Sequence, residues 1–342
     1  MGTLPKVAHK RVTVIDVARA AGVSPGTVSN AISGKRKVDD ETRARIEAAI
    51  RNLGYRPNLA ARKMRTGGTH SIAIISSMPT AVAAGSSKLG FLMEIAASAA
   101  ITALEMNAAL VLIPPIDDPL ATLKTLSMDG ALVVEPEDND PVLAYLEGNG
   151  IPTVCIGKPL GSASPYIALD YHAMAQMLVE HLFEVGATQL ILMVGTSPRQ
   201  SNLVFKQVYR EKAAQIGMPE HIIEVPENSA EDSAAAAMSD VINSGIAFDA
   251  VLAPIDAMAT GVMQALRQHN RRVPNDVRVA TRYDGVRAKT ESPPLTAIDL
   301  KLEDVADIAT RHLTQIIEAT AGPSTIAAPR PFLVARGTSL TD

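Results

Sequence analysis

Residues 24–33 read SPGTVSNAIS, and their reading decides the fold of the N-terminal part of the chain. Pro25 stands where the first helical turn needs no backbone donor, and Ser24 before it is placed to cap the free N–H groups of that turn. Upstream, Thr13-Val-Ile-Asp16 has capping-box spacing. Val14, Val17, Ala18 and Ala21 then recur at helical intervals until Gly22 stops the run. Two short helices therefore meet at Ala21-Gly22-Val23. This is the helix-turn-helix arrangement, whose second helix can lie in the DNA major groove.

The charge around this unit points the same way. The first 66 residues hold fourteen Lys and Arg against five Asp and Glu, a net of +9, whereas the whole chain is −4, which leaves −13 for the remainder. One end of the chain is built to meet phosphates and the rest is not. Residues 1–12 form a basic arm, and Gly34-Lys-Arg-Lys37 a charged turn. A third helix starts at Asp40, with Ile46, Ala49, Ile50 and Leu53 on the face that closes a small core against Val14, Val17 and Val28, and Gly54 as its stop. Tyr55-Arg-Pro-Asn58 breaks the helix, because a residue before proline is pushed out of the α region. Asn58 then caps a segment, Leu59 to Met64, too short to hold a helix alone in water; it needs DNA and the same segment of a second subunit as partners.

Residues 12–67, VTVIDVARAAGVSPGTVSNAISGKRKVDDETRARIEAAIRNLGYRPNLAARKMRTG, resemble the DNA-binding head of the lactose-repressor (LacI) family, from its first helix to its hinge. The resemblance implies a DNA-contacting set of Ser24, Thr27, Ser29, Asn30, Arg36, Asn58, Met64 and Arg65. Asn30 stands where many members carry Arg or His for base reading. Asn favours adenine in a bidentate contact and Arg favours guanine, so either the operator differs there or Asn30 meets a phosphate. Arg36 matches a position that reaches the major groove, and Arg65 one beside the hinge wedge or at a phosphate. Met64 replaces the usual Leu wedge of the minor groove.

At 342 residues with 47% hydrophobic content, the chain can bury more than one core. No apolar stretch reaches membrane-spanning length and MGTLPKVAHKR has no apolar signal region, so the expected location is the cytoplasm, with no membrane partner. The one cysteine, Cys155, lies in the apolar run PTVCIG and reads as a buried strand residue. The seven histidines show no metal-ligand spacing, and no cofactor is implied.

From residue 71 short apolar runs alternate with helical stretches. The runs 71–75, 108–113, 130–135, 152–157, 189–195, 249–254 and 277–284 read as buried parallel strands. The stretches 88–106, 171–185, 203–216, 230–244 and 256–269 read as helices. Over this length two α/β lobes are expected. DAMATGVMQALRQHNRRVPNDVRV, RYDG and SPPLTAID are similar to the effector-binding core of the same family. The fold class is thus an N-terminal all-α helix-turn-helix DNA-binding domain plus an α/β two-lobed periplasmic-binding-protein-like core with parallel sheets. The expected divisions are a headpiece over 1–57, a hinge over 58–70 and a core over 71–342. The core's first lobe takes 71–169 and 300–325, its second 170–298 and 326–342, with crossovers near 168–171, 297–300 and 324–330.

The resemblance also implies an effector cleft lined by Phe91, Leu92, Arg199, Ser201, Phe205, Asp256 and Asp284. Phe205 replaces the usual effector-binding Arg; either Arg199 supplies the cation or the ligand is less charged. Asp256 either binds ligand hydroxyls or caps the helix that follows it. Asp284 either orders the cleft rim or is a turn aspartate. The usual asparagine-proline-aromatic stretch is replaced by AGSSKLGF over 84–91.

The expected function is a homodimeric transcriptional regulator, a repressor, on a pseudo-palindromic operator in double-stranded DNA. Its effector is a sugar or polyol first, a nucleoside or nucleobase second. LVARGTSLTD carries no leucine heptad, which points to a dimer and not a tail-assembled tetramer. The alternatives are a global regulator of the same fold read by a partner protein, and an enzyme. The second is opposed by the lack of G-x-S-x-G, Walker and G-x-G-x-x-G signatures.

Overall fold

The computed structural model describes residues 13–33, 38–53, 70–79, 82, 90–115 and 118–340. The arm over 1–12, the turn over 34–37, the stop at Gly54, the break at 55–58 and the hinge lie outside the described residues. So do Arg36, Asn58, Met64 and Arg65 of the DNA-contacting set.

In the head, α1 (Val14–Ala21) begins where the sequence places it. The Asp16 carboxylate accepts from both the backbone N–H of Thr13 (2.9 Å) and its hydroxyl (2.7 Å). Gly22 ends the helix at φ +65°, a left-handed conformation that glycine adopts without a Cβ penalty, and this turns the chain into α2 (Pro25–Ser33). The Ser24 hydroxyl accepts from Thr27 N–H at 3.1 Å. Removing a cap of this kind costs about 1 kcal/mol, so Ser24→Ala is expected to lower the head's unfolding free energy by that much, read as an earlier midpoint in a circular-dichroism melt. α3 (Asp40–Leu53) is capped by Asp39, whose carboxylate accepts from Thr42 N–H at 2.9 Å. Val17, Ala18, Ala21, Val28, Ile46 and Ala49 form the head's buried core, with Val14, Val23, Ala31 and Ile50 against it. Leu53 does not join them. It is 37% exposed, at the last position of α3 and outside the cluster that the three helices bury.

The second unit contains two six-stranded sheets. The first runs β2-β1-β3-β4-β5-β11: β1 (His70–Ser76), β2 (Ala108–Ile113), β3 (Gly130–Val134), β4 (Thr153–Ile156), β5 (Tyr166–Ala168) and β11 (Ile326–Ala327). The second runs β7-β6-β8-β9-β10-β12: β6 (Leu190–Gly195), β7 (Ile222–Val225), β8 (Ala250–Leu252), β9 (Arg278–Tyr283), β10 (Thr296–Asp299) and β12 (Phe332–Val334). All pairings are parallel except β10 with β12. Parallel strands need crossovers, and helices on both faces explain the near-continuous apolar runs.

Around the first sheet lie α4 (Phe91–Glu105), α5 (Pro119–Thr125), α6 (Pro141–Gly148) and α12 (Leu302–Ile317); α12 packs on α4, β3 and β4. Around the second lie α7 (Tyr171–Glu184), α8 (Gln200–Ile216), α9 (Ala230–Ser244), α10 (Asp256–Gln268) and the short α11 (Val286–Thr290). The chain passes between the sheets after Ala168, after Asp299, and between Ala327 and Phe332. Cys155 is fully buried in β4, and that burial pushes its thiol pKa up. Among the described residues, no helix is long and apolar enough to cross a membrane.

Candidate functional site: a recognition helix and an interlobe cleft

On α2 the apolar side is spent on the head's core through Val28 and Ala31, which leaves the other side to the polar residues. Ser24 is exposed, and Thr27, Ser29 and Asn30 are half-buried. The Ser24 hydroxyl is already occupied, by Thr27 N–H and, at 2.9 Å, by the Thr27 hydroxyl. Asn30, one turn further on, is the largest polar side chain among these four.

In the second unit the C-terminal ends of the two parallel sheets face each other, where open α/β sheets bind ligands. Glu135 follows β3 in the first lobe, and Arg282 sits near the end of β9 in the second; Arg282 Nη1 donates to Glu135 Oε1 at 2.8 Å. Ser201, in the first turn of α8, donates to Glu135 Oε2 at 3.0 Å. Arg199, which caps α8, donates through Nη1 to Glu227 Oε2 at 2.7 Å and through Nε to the carbonyl of Glu135 at 3.0 Å. Asn202 donates to the other oxygen of Glu227 at 3.0 Å. Glu227 fits because Gly195 is bare: a Cβ there would lie 2.0 Å from Glu227 Oε1.

The Arg282 guanidinium also lies over the rings of Phe91 (5.5 Å) and Tyr171 (5.7 Å), and Phe91 meets Tyr283 edge-on at 5.4 Å. Such contacts hold a buried guanidinium with little loss of charge stabilisation. Burial and the Glu135 charge raise the Tyr171 phenol pKa; burial also raises that of Glu137, which lies 3.9 Å from Arg199.

The described residues around this cluster enclose only about 20 Å³, bounded by Met78, Val82, Pro254 and Ile255 on the apolar side. Beyond Tyr283 opens a larger pocket of about 310 Å³. Glu94, Asp284, Lys289 and the 299–304 crossing line it.

The sequence-predicted residues thus separate. Arg199 and Ser201 line the inner cavity, Asp284 the outer pocket, and Phe91 stands on Arg282. Leu92 and Phe205 are buried in the hydrophobic core and line neither. Asp256 is buried at the start of α10. Its Oδ1 accepts from Ala257 N–H at 2.9 Å, and Arg287 Nε stands 3.9 Å from Oδ2. Asp284 is engaged by Arg336 at 2.6 Å.

Glu135, Glu227, Arg282 and Tyr171 are absent from the sequence-based set. The signal for Glu135 and Arg282 is a charged residue closing an apolar strand run, at the strand end where parallel sheets bind ligands.

Residues 13–58 match the bacterial regulatory proteins of the lacI family, and residues 179–339 a periplasmic binding protein-like domain. The chain thus joins a lacI-family DNA-binding head to a periplasmic binding protein-like core. Among its LacI-family relatives, the HTH-type transcriptional regulator CelR of Thermobifida fusca is 29% identical over 324 residues, covering 86% of this chain and 88% of its own. The ribose operon repressor of Escherichia coli K12 is 28% identical over 307 residues, covering 87% and 90%. These relatives are regulators of transcription and not enzymes. The CelR–cellobiose complex superposes with a TM-score of 0.71 at 26% identity, covering 96% of this chain and all of that one. The lac repressor dimer bound to operator and the anti-inducer ONPF shares the fold, with a TM-score of 0.68 at 24% identity, covering 97% and 100%.

Proposed function

We propose that this LacI-family chain is a dimeric repressor on a pseudo-palindromic operator, modulated by a small uncharged polar effector in the interlobe cleft. The observation that carries the effector reading is the buried cluster drawn from both lobes. Two guanidiniums, Arg199 and Arg282, face two carboxylates, Glu135 and Glu227. Charges balanced in this way suit hydroxyls, which both accept and donate, and oppose a phosphorylated ligand. A sugar or polyol comes first, in line with the cellobiose named for CelR, and a nucleoside or nucleobase second.

Recognition helices would enter successive major grooves, with the hinge segments at the operator centre. Ile101 (64% exposed) and Leu104 (72% exposed), three residues apart on α4, offer an apolar face for a second copy. Effector and operator must alter each other's affinity by the same factor.

A thermal-shift screen of the full chain against neutral sugars, polyols, nucleosides, nucleobases and sugar phosphates tests the effector. A ligand at a hundred times its Kd adds about 2.7 kcal/mol of stability. Hits confined to neutral polyhydroxylated compounds are expected, and hits only among phosphates would overturn the reading. On the DNA side, Asn30→Arg is expected to change base preference at one symmetric pair of operator positions by about 1–3 kcal/mol in a selected-sequence assay. An unchanged preference would remove Asn30 from the base-reading set.

A further inference from the structure

We infer that Glu135 is an interlobe latch: its carboxylate and its backbone turn hold the two lobes together across the cleft. The side chain belongs to the first lobe, and the donors that reach it, Arg282 Nη1, Ser201 Oγ and the Tyr171 hydroxyl, belong to the second. Its carbonyl takes a further donor from the second lobe, Arg199 Nε. The backbone continues the seam, with Asp138 N–H donating to the Pro198 carbonyl at 3.0 Å beside an antiparallel bridge between Glu137 and Arg199.

Three further observations mark the seam as a built device. Glu135 has φ +50°, a left-handed conformation that costs a non-glycine residue energy and persists only where its surroundings fix it. The space left beside it, about 20 Å³, is far below the roughly 300 Å³ at which ligand pockets begin, so an effector enters the inner cluster only when the seam parts. Arg282 Nε and Arg199 Nη2, on side chains more than nine-tenths buried, have no hydrogen-bond partner among the described residues, and Nη2 has only the longer ion pair to Glu137 at 3.9 Å. The latch thus leaves donors unsatisfied that an incoming acceptor would take. A latch acts only on the closed state, so breaking it shifts the population toward the open one.

The existence of the latch does not depend on any effector; only the identity of what opens it rests on the reading above. The test accordingly uses the full-length protein with nothing added. Amide hydrogen exchange is followed at Asp138, whose N–H crosses the seam, and at the β6 and β9 amides, which lie inside the second lobe. In the wild type the Asp138 amide is expected to be protected. Glu135→Gln should speed its exchange about tenfold, with β6 and β9 unmoved, as expected for the loss of a charge-assisted hydrogen bond. Ser201→Ala removes one arm without stranding a buried charge and should speed it about threefold, which keeps the test open if the first variant folds poorly. The latch is overturned if the wild-type Asp138 amide exchanges at the rate of a free peptide. It is equally overturned if neither variant changes that rate, or if β6 and β9 accelerate equally, since a merely structural role would do that.

Discussion

Arg199→Ala is expected to destabilise the core by about 3–5 kcal/mol, the cost of leaving a buried carboxylate without its partner. Glu227 is buried against Gly195. With Arg199 gone, it keeps among the described residues only the amide of Asn202 as a hydrogen-bond donor, and the Glu135 carbonyl loses the Arg199 donor as well. Urea unfolding measures the loss. The double variant Arg199→Met with Glu227→Met should recover most of it, because replacing both members of a buried pair with apolar groups is often near neutral. A single-variant loss below about 1 kcal/mol would mean that the pair is solvated in solution. The same substitution should also weaken any effector response seen in the thermal screen.

Asp256→Asn is expected to stabilise the core at pH 8 and to do nothing at pH 3. Burial raises the Asp256 pKa to about 6, more than Arg287, the Ala257 N–H and Arg282 lower it. Below about pH 4 the carboxyl is protonated both folded and unfolded, and it imposes no penalty. Between about 4 and 6 the folded protein binds a proton that the unfolded chain has released, so stability falls as pH rises; above 6 the loss is complete. Two pKa units correspond to about 3 kcal/mol. Melts of wild type and variant across pH 3–8 should therefore diverge through that window, and parallel curves would show Asp256 ionised at little cost. The variant also separates two roles. An amide still accepts from the Ala257 N–H, so a lost effector response with the helix intact would place Asp256 in the ligand's path.

The helices of the head were legible because a cap, a period and a stop coincide within a few residues, as at Thr13, Val17 and Gly22. Leu53 misled because a period specifies a face and not what covers it. In the core, seven strands announce themselves as apolar runs. Tyr166–Ala168, Ile222–Val225, Thr296–Asp299, Ile326–Ala327 and Phe332–Val334 do not, being two to four residues long and defined by the neighbour they pair with. The sequence reading assigns no helix to 302–317. Leu302, Val305, Ala306, Ala309 and Leu313 carry a helical period there, but their return to the first sheet is topology, which no local period contains.

Of the residues that the sequence proposes for the cleft, Arg199 and Ser201 line the inner cavity and Asp284 the outer pocket. Glu135, Glu227 and Arg282 were not legible, because they meet only through tertiary structure: Glu135 and Arg282 stand 147 residues apart in the chain.

The threefold passage of the chain between the sheets also sets an order of events on the ribosome. The first lobe begins emerging first but waits longest for completion, since α12, which covers α4, β3 and β4, starts at Leu302. The second lobe, from Tyr171 to Asp299, has by then all of its strands but β12. At typical elongation rates of about 5–20 residues per second, the earlier lobe spends on the order of 10–30 s with an apolar face unroofed. The half of the core made first is therefore the half that waits longest for its cover, and a chain that stops short of α12 leaves the first lobe unroofed and the second without β12.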